Sequence, residues 1–85
     1  MELEDFLITN TILRAEHLLK DDFYTVHDHN KKCILKFVKY KDDTLLFNYV
    51  CGNDFYIKNS DGTIFFPNYL LFEKATLIKE CLIQF

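Results

Sequence analysis

One proline and two glycines in 85 residues leave too few breaks for a disordered chain and no glycine-rich loop to cradle a phosphate. Serine occurs once, at Ser60, so no serine-based nucleophile arrangement can be assembled. Arginine also occurs once, at Arg14, and the pI is near 5.5, whereas nucleic-acid domains are usually basic. Three cysteines, an odd number, cannot close a disulfide framework. Cys33, Cys51 and Cys81 therefore read as reduced, apolar core residues, as expected in a reducing compartment. No apolar run approaches the roughly 18 residues of a membrane span. The acidic start MELEDFLITN is the opposite of a signal peptide's basic one. These absences point to a cytoplasmic, intracellular protein.

What is present is apolar and aromatic. Hydrophobic residues make up 49% of the chain and phenylalanine occurs nine times, which is enough to give residues 1–85 one compact core. A chain of this size buries only about 60–65% of its unfolded surface, so large rings matter. Phe, Tyr, Met, Ile, Asn and Lys account for 37 residues, and Gly, Ala, Arg and Pro for 6. That bias follows AT-rich coding and suits a low-GC bacterium, its phages or some viruses. Charge falls in three blocks: residues 1–28 carry −5, residues 29–41 carry +5, and residues 42–85 carry −3. A lysine block inside an acidic chain is either a solvated hairpin edge or a contact surface.

The stretch Cys33 to Cys51 organises the chain as a β-hairpin. A loop at Lys41-Asp42-Asp43 sets Tyr40 opposite Thr44, Phe37 opposite Phe47, Leu35 opposite Tyr49 and Cys33 opposite Cys51. A two-residue Asp42-Asp43 turn would instead oppose Phe37 with Asn48. A preceding strand, Phe23 to Asp28, turns at His29-Asn30 and sets Tyr24 opposite Leu35 and Val26 opposite Cys33. After Gly52-Asn53-Asp54 come Phe55 to Lys58, a turn at residues 59–62, and Thr63 to Phe66. That register sets Ile57 opposite Ile64 and Phe55 opposite Phe66, and Pro67 ends the strand.

Residues 3–20 carry Leu3, Leu7, Ile8, Ile12, Ala15, Leu18 and Leu19 at helical spacing, with Phe6 and Leu13 off the stripe. A helix is expected there. A second reading has a strand at Glu4–Ile8 and a helix capped near Thr9. At the other end Leu71, Ala75, Ile78, Leu82 and Phe85 predict a helix from Asn68, and alternation over Thr76–Phe85 offers a sixth strand instead. The expected fold is α+β: a five-stranded antiparallel meander with an N-terminal and a C-terminal helix.

Of the two sheet faces, the first holds Tyr24, Val26, Cys33, Leu35, Phe37, Leu45, Phe47, Tyr49, Cys51, Phe55, Ile57, Ile64 and Phe66, and forms the core. The second holds Phe23, Thr25, His27, Ile34, Lys36, Val38, Tyr40, Leu46, Asn48, Val50, Tyr56, Lys58 and Phe65. It is too apolar to face water alone. A helix, a second copy or a foreign partner should cover it, and the plainest expectation is that the two helices sandwich the sheet.

The chemical alternatives are weak. His27 and His29 share a strand face but lack further ligands at metal spacing. Asp21-Asp22 and Asp42-Asp43 lie in turns. Asn59, Asp61 and Gly62 lack the alternation and closing acid of a calcium loop. Cys33 and Cys51 sit in apolar settings without a base. No catalytic cluster, cofactor site or metal site is expected. The sequence reads as a non-enzymatic protein-binding chain, a stoichiometric inhibitor or modulator of a larger protein of the phage- or virus-encoded or immunity type. Its expected contact residues are Phe23, Lys36, Val38, Tyr40, Leu46, Tyr56, Lys58 and Phe65, and a homodimer through the same patch or an edge strand is a corollary. The alternative is a single-stranded nucleic-acid binder that stacks bases on Tyr40 and Tyr56 between Lys36 and Lys58.

Overall fold

A computed structural model describes residues 2–27, 33–52 and 58–78. Six strands form one antiparallel sheet: β1 (Phe6–Arg14), β2 (Phe23–Val26), β3 (Cys33–Lys41), β4 (Thr44–Gly52), β5 (Thr63–Pro67) and β6 (Leu71–Leu77). Two 3-10 turns, Leu3–Asp5 and Ala15–His17, flank β1. The strand order is β1-β6-β2-β3-β4-β5, so β6 is inserted between the first two strands.

Neither expected helix forms. Residues 3–20 hold β1, whose middle carries the β-branched Ile8, Thr9, Thr11 and Ile12, residues that suit a pleated strand. Phe6 and Leu13, which fall off the helical stripe, are the positions the strand turns inward: Phe6 is buried and Leu13 packs on the main core. Of the second reading, only the strand has a counterpart, and it runs to Arg14. The helix expected from Asn68 is replaced by β6. Phe72 and Ala75 lie on opposite faces of β6, and both are fully buried because the strand is covered on two sides. Double burial erases the alternation of a half-buried strand and leaves a spacing of three that imitates a helix turn. The alternative strand Thr76–Phe85 overlaps β6 only at Thr76 and Leu77, and residues 79–85 lie outside the described ones.

The hairpin at the centre keeps Phe37 across from Phe47, with ring centroids 5.3 Å apart. It reaches that register by a different route. The turn has two residues, Asp42 and Asp43, with Lys41 opposite Thr44, and Asp42 takes a left-handed φ of 51° that Asp tolerates. The shift this turn imposes is cancelled by a bulge at Val38, so pairing moves from Lys39↔Leu46 to Phe37↔Phe47. A second bulge, at Val50, moves the pairing from Leu35↔Tyr49 to Ile34↔Cys51. Cys51 is thereby carried off the first face, and Cys33 pairs with Gly52. Tyr40, now opposite Leu45 and edge-on to Phe37 at 6.1 Å, is carried onto the first face.

Tyr24 pairs with Leu35 as expected. β5 pairs with β4, through Leu45↔Phe66 and Phe47↔Ile64, in the place the meander assigns to Phe55–Lys58. Residues 53–57, and with them the pairings of Phe55 and Ile57, lie outside the described residues, as do His29 and Asn30. β5 ends at Pro67, as expected.

The sheet has to roll. β5 and β6 are four strand spacings apart in the ladder order, about 19 Å if flat. The chain from Pro67 to Leu71 spans at most about 14 Å. Rolling brings Phe72 of β6 onto Phe47 and Phe66, with centroids 5.2 and 6.2 Å away. Bulges on β3 and β4 supply the bend. The core within the roll contains Tyr24, Leu35, Phe37, Leu45, Phe47, Ile64, Phe66 and Phe72, and is closed at one end by Ala15 and Leu18.

Candidate partner-binding surface

The second sheet face divides into two halves. One is covered by the chain's own N-terminal segment: Leu3, Phe6 and Ile8 pack with Phe23, Ile34, Val50, Cys51, Ala75 and Leu77. Phe6 meets Phe23 edge-on at 5.1 Å, which makes Phe23 part of a small second core. The cover expected from a helix is therefore supplied by a 3-10 turn and a strand.

The other half lies on β3, β4 and β5. Leu46 is paired with Phe65 on one side and Lys39 on the other, and the next row is Lys36, Asn48 and Thr63. Leu46 and Lys36 are half-buried, and the Phe65 ring is 47% exposed. Val38 is the half-buried residue of the bulge beside them. Of the eight expected contact residues, Lys36, Val38, Leu46 and Phe65 thus come together.

The other four do not join them. Phe23 belongs to the covered half. Tyr40 stands on the first face near Glu16, and partial desolvation, with the Glu16 charge second, raises its hydroxyl pKa. Lys58 sets its Nζ 4.1 Å above the ring of Tyr49, which packs on the first core. Tyr56 lies outside the described residues. The Lys36–Tyr40–Lys58 part of the base-stacking arrangement is accordingly spread over two faces.

Other polar groups are structural in position. His27 Nδ1 lies 3.1 Å from Glu73 Oε2, and Glu73 is buried on β6 beside Thr25, whose Oγ1 has no partner among the described residues. Among the described residues, no three His, Cys, Asp or Glu side chains converge as a metal site would need. Burial pushes the Cys33 thiol up to about 11, and burial raises Cys51 as well. Both thiols are held protonated, unlike a nucleophile's. Asp21-Asp22 and Asp42-Asp43 occupy turns, and Asp22 meets Lys74 at 3.2 Å. Asp61 accepts bonds from the Thr63 N–H and hydroxyl, which lower its pKa, and so closes its own turn.

One exposed group lies beyond the expected set. Tyr69, 78% exposed, borders a shallow cleft of about 390 Å³ with Arg14, Asn68, Leu70 and Leu71. Its signal in the sequence is an aromatic in the three-residue link Asn68-Tyr69-Leu70 after Pro67. No helix among the described residues is long and apolar enough to cross a membrane. Comparison with protein-family models, with curated proteins and with solved structures yields no match.

Proposed function

We propose that this chain is a small non-enzymatic, intracellular interaction protein that binds a larger protein stoichiometrically and inhibits or modulates it. The docking surface is the uncovered half of the second face. The observation that carries this reading is Phe65. Of the described phenylalanines it alone is exposed, on a sheet position flanked by Leu46 and within one row of Lys36 and Lys39. An exposed aromatic on a rigid strand is the kind of anchor that dominates interface energies, and a rim of lysine steers it to an acidic surface. The fitting partner presents an apolar pocket with an acidic border.

The test is affinity capture from cells of the source organism with the wild-type chain, Phe65→Ser and Tyr69→Ser. A partner lost with Phe65→Ser and retained with Tyr69→Ser supports the surface. Equal recovery with all three overturns it. Recovery of nucleic acid that vanishes between low and moderate salt, while protein partners stay absent, transfers the surface to phosphate binding.

A further inference from the structure

We propose that β1 is a self-complementary edge through which two copies of this chain pair about a two-fold axis at Asn10. The sheet has two edges, and they are unlike. On β5, the Gly62 carbonyl accepts from the Tyr49 N–H, so Gly62, Ile64 and Phe66 turn their backbone groups to β4 and Thr63, Phe65 and Pro67 turn theirs outward. The Thr63 carbonyl accepts from the Asn59 N–H, the Thr63 N–H donates to Asp61 Oδ1, and Pro67 has no N–H. One residue, Phe65, is left to pair, so this edge is blocked.

β1 is open. The Ile78 N–H donates to the Asp5 carbonyl, which turns Asp5 and Leu7 toward β6 and Ile8 outward. At the far end the Arg14 N–H donates to His17 Nδ1, outside the ladder, so Ile12 and Arg14 also face outward. The extra residues between Ile8 and Ile12 preserve that phase. By that phase the N–H and C=O groups of Ile8 and Ile12 point away from β6, toward the outer edge of the sheet. Edge strands are commonly guarded by lysine or proline, yet residues 6–13 carry no charge and no proline.

The occupant follows from the sequence of that edge. Leu7-Ile8-Thr9-Asn10-Thr11-Ile12-Leu13 reads the same in both directions. Antiparallel pairing centred on Asn10 sets Leu7 against Leu13, Ile8 against Ile12 and Thr9 against Thr11 of the second copy. Ile8 and Ile12 both lie on the second face, opposite Ala75 and Glu73, so they meet on one side of the joined sheet. Leu7, 57% exposed, and Ile12, 44% exposed, become covered. Like residues meeting across a two-fold axis is what an isologous interface requires. The irregularity at residues 9–11 falls on the axis, so both copies bend at the same place.

Sedimentation over a dilution series tests this. The wild-type chain and Phe65→Ser are expected to dimerise alike. Ile12→Lys, which sets a charge against Ile8 of the second copy, weakens the dimer at least about tenfold. In a Cys81→Ser background, Asn10→Cys forms an intermolecular disulfide far faster than the exposed control Tyr69→Cys, because paired Cα atoms about 5.5 Å apart suit the bond. A wild-type monomer throughout, a dimer that survives Ile12→Lys, or equal cross-linking of the two cysteine variants overturns the proposal. Because Phe65→Ser reports on the other surface, the two readings fail separately.

Discussion

Thr25 shows how a single side chain departs from its neighbours' logic. It is fully buried on β2, opposite Glu73, and its hydroxyl has no partner among the described residues. A buried hydroxyl without a hydrogen bond keeps its desolvation penalty. Valine has the same shape and suits a strand. Thr25→Val is therefore expected to raise stability by about 1–2 kcal/mol, read as a higher urea midpoint at unchanged slope. A lower midpoint would show that the hydroxyl bonds to something, with Glu73, its cross-strand neighbour, the candidate. Glu73 itself is tolerated inside because His27 Nδ1 lies within 3.1 Å. Neither role is legible in the sequence, because each depends on β6 lying beside β2, a contact between residues some 46 positions apart.

At the scale of elements, β6 discriminates strand from helix most sharply. A helix from Asn68 would turn Leu71 inward, whereas the strand leaves Leu71 39% exposed and buries Phe72 completely against Phe47 and Phe66. Phe72→Ala should cost about 3–5 kcal/mol, as for other buried rings, and Leu71→Ala under about 1 kcal/mol. Urea unfolding of the two variants checks this, and similar losses would contradict the strand. The central hairpin is legible because its phase is fixed by buried pairs: Phe37 faces Phe47 whatever the turn does. What the turn changes is hidden from a regular register. A two-residue turn plus a bulge at Val38 gives the same central pair as a three-residue loop, but sends Tyr40 to the other face. Bulges are invisible to strict alternation, and that is why Tyr40 leaves the expected contact set. The terminal segments fail for a second reason. In β1 and β6, helical spacing coincides with strands that touch apolar neighbours on both sides, and β-branched content at Ile8, Thr9, Thr11 and Ile12 is the better guide.

For the molecule as a whole, the surplus of apolar residues on the second face divides into two parts. Half is covered by the N-terminal segment, and the other half carries Leu46 between Lys39 and the exposed Phe65 of the edge strand. The fold also buries ionisable hydroxyl and thiol groups, Tyr24 and Cys33 within the roll and Cys51 in the second core. Burial raises the pKa of Tyr24, Cys33 and Cys51, with Cys33 taken from its usual value near 9 to about 11. Below about pH 9 the Cys33 thiol is neutral in the folded and unfolded chain alike, and its burial carries no penalty. Between 9 and 11 the unfolded chain gains by ionising while the folded chain does not, so stability falls with rising pH. For Cys33 alone the loss is on the order of 2 kcal/mol by pH 11, and Tyr24 and Cys51 add to it in the same direction. Urea unfolding at pH 7, 9 and 10.5 should show a midpoint that is flat to 9 and then declines. Cys33→Ala lowers the whole curve by leaving a small cavity, but declines less steeply above pH 9. If both proteins lose stability at the same rate, the Cys33 thiol is not held neutral by the rolled core, and the closure of β6 over β4 and β5 at that end of the sheet is looser than the ring contacts of Phe72 imply.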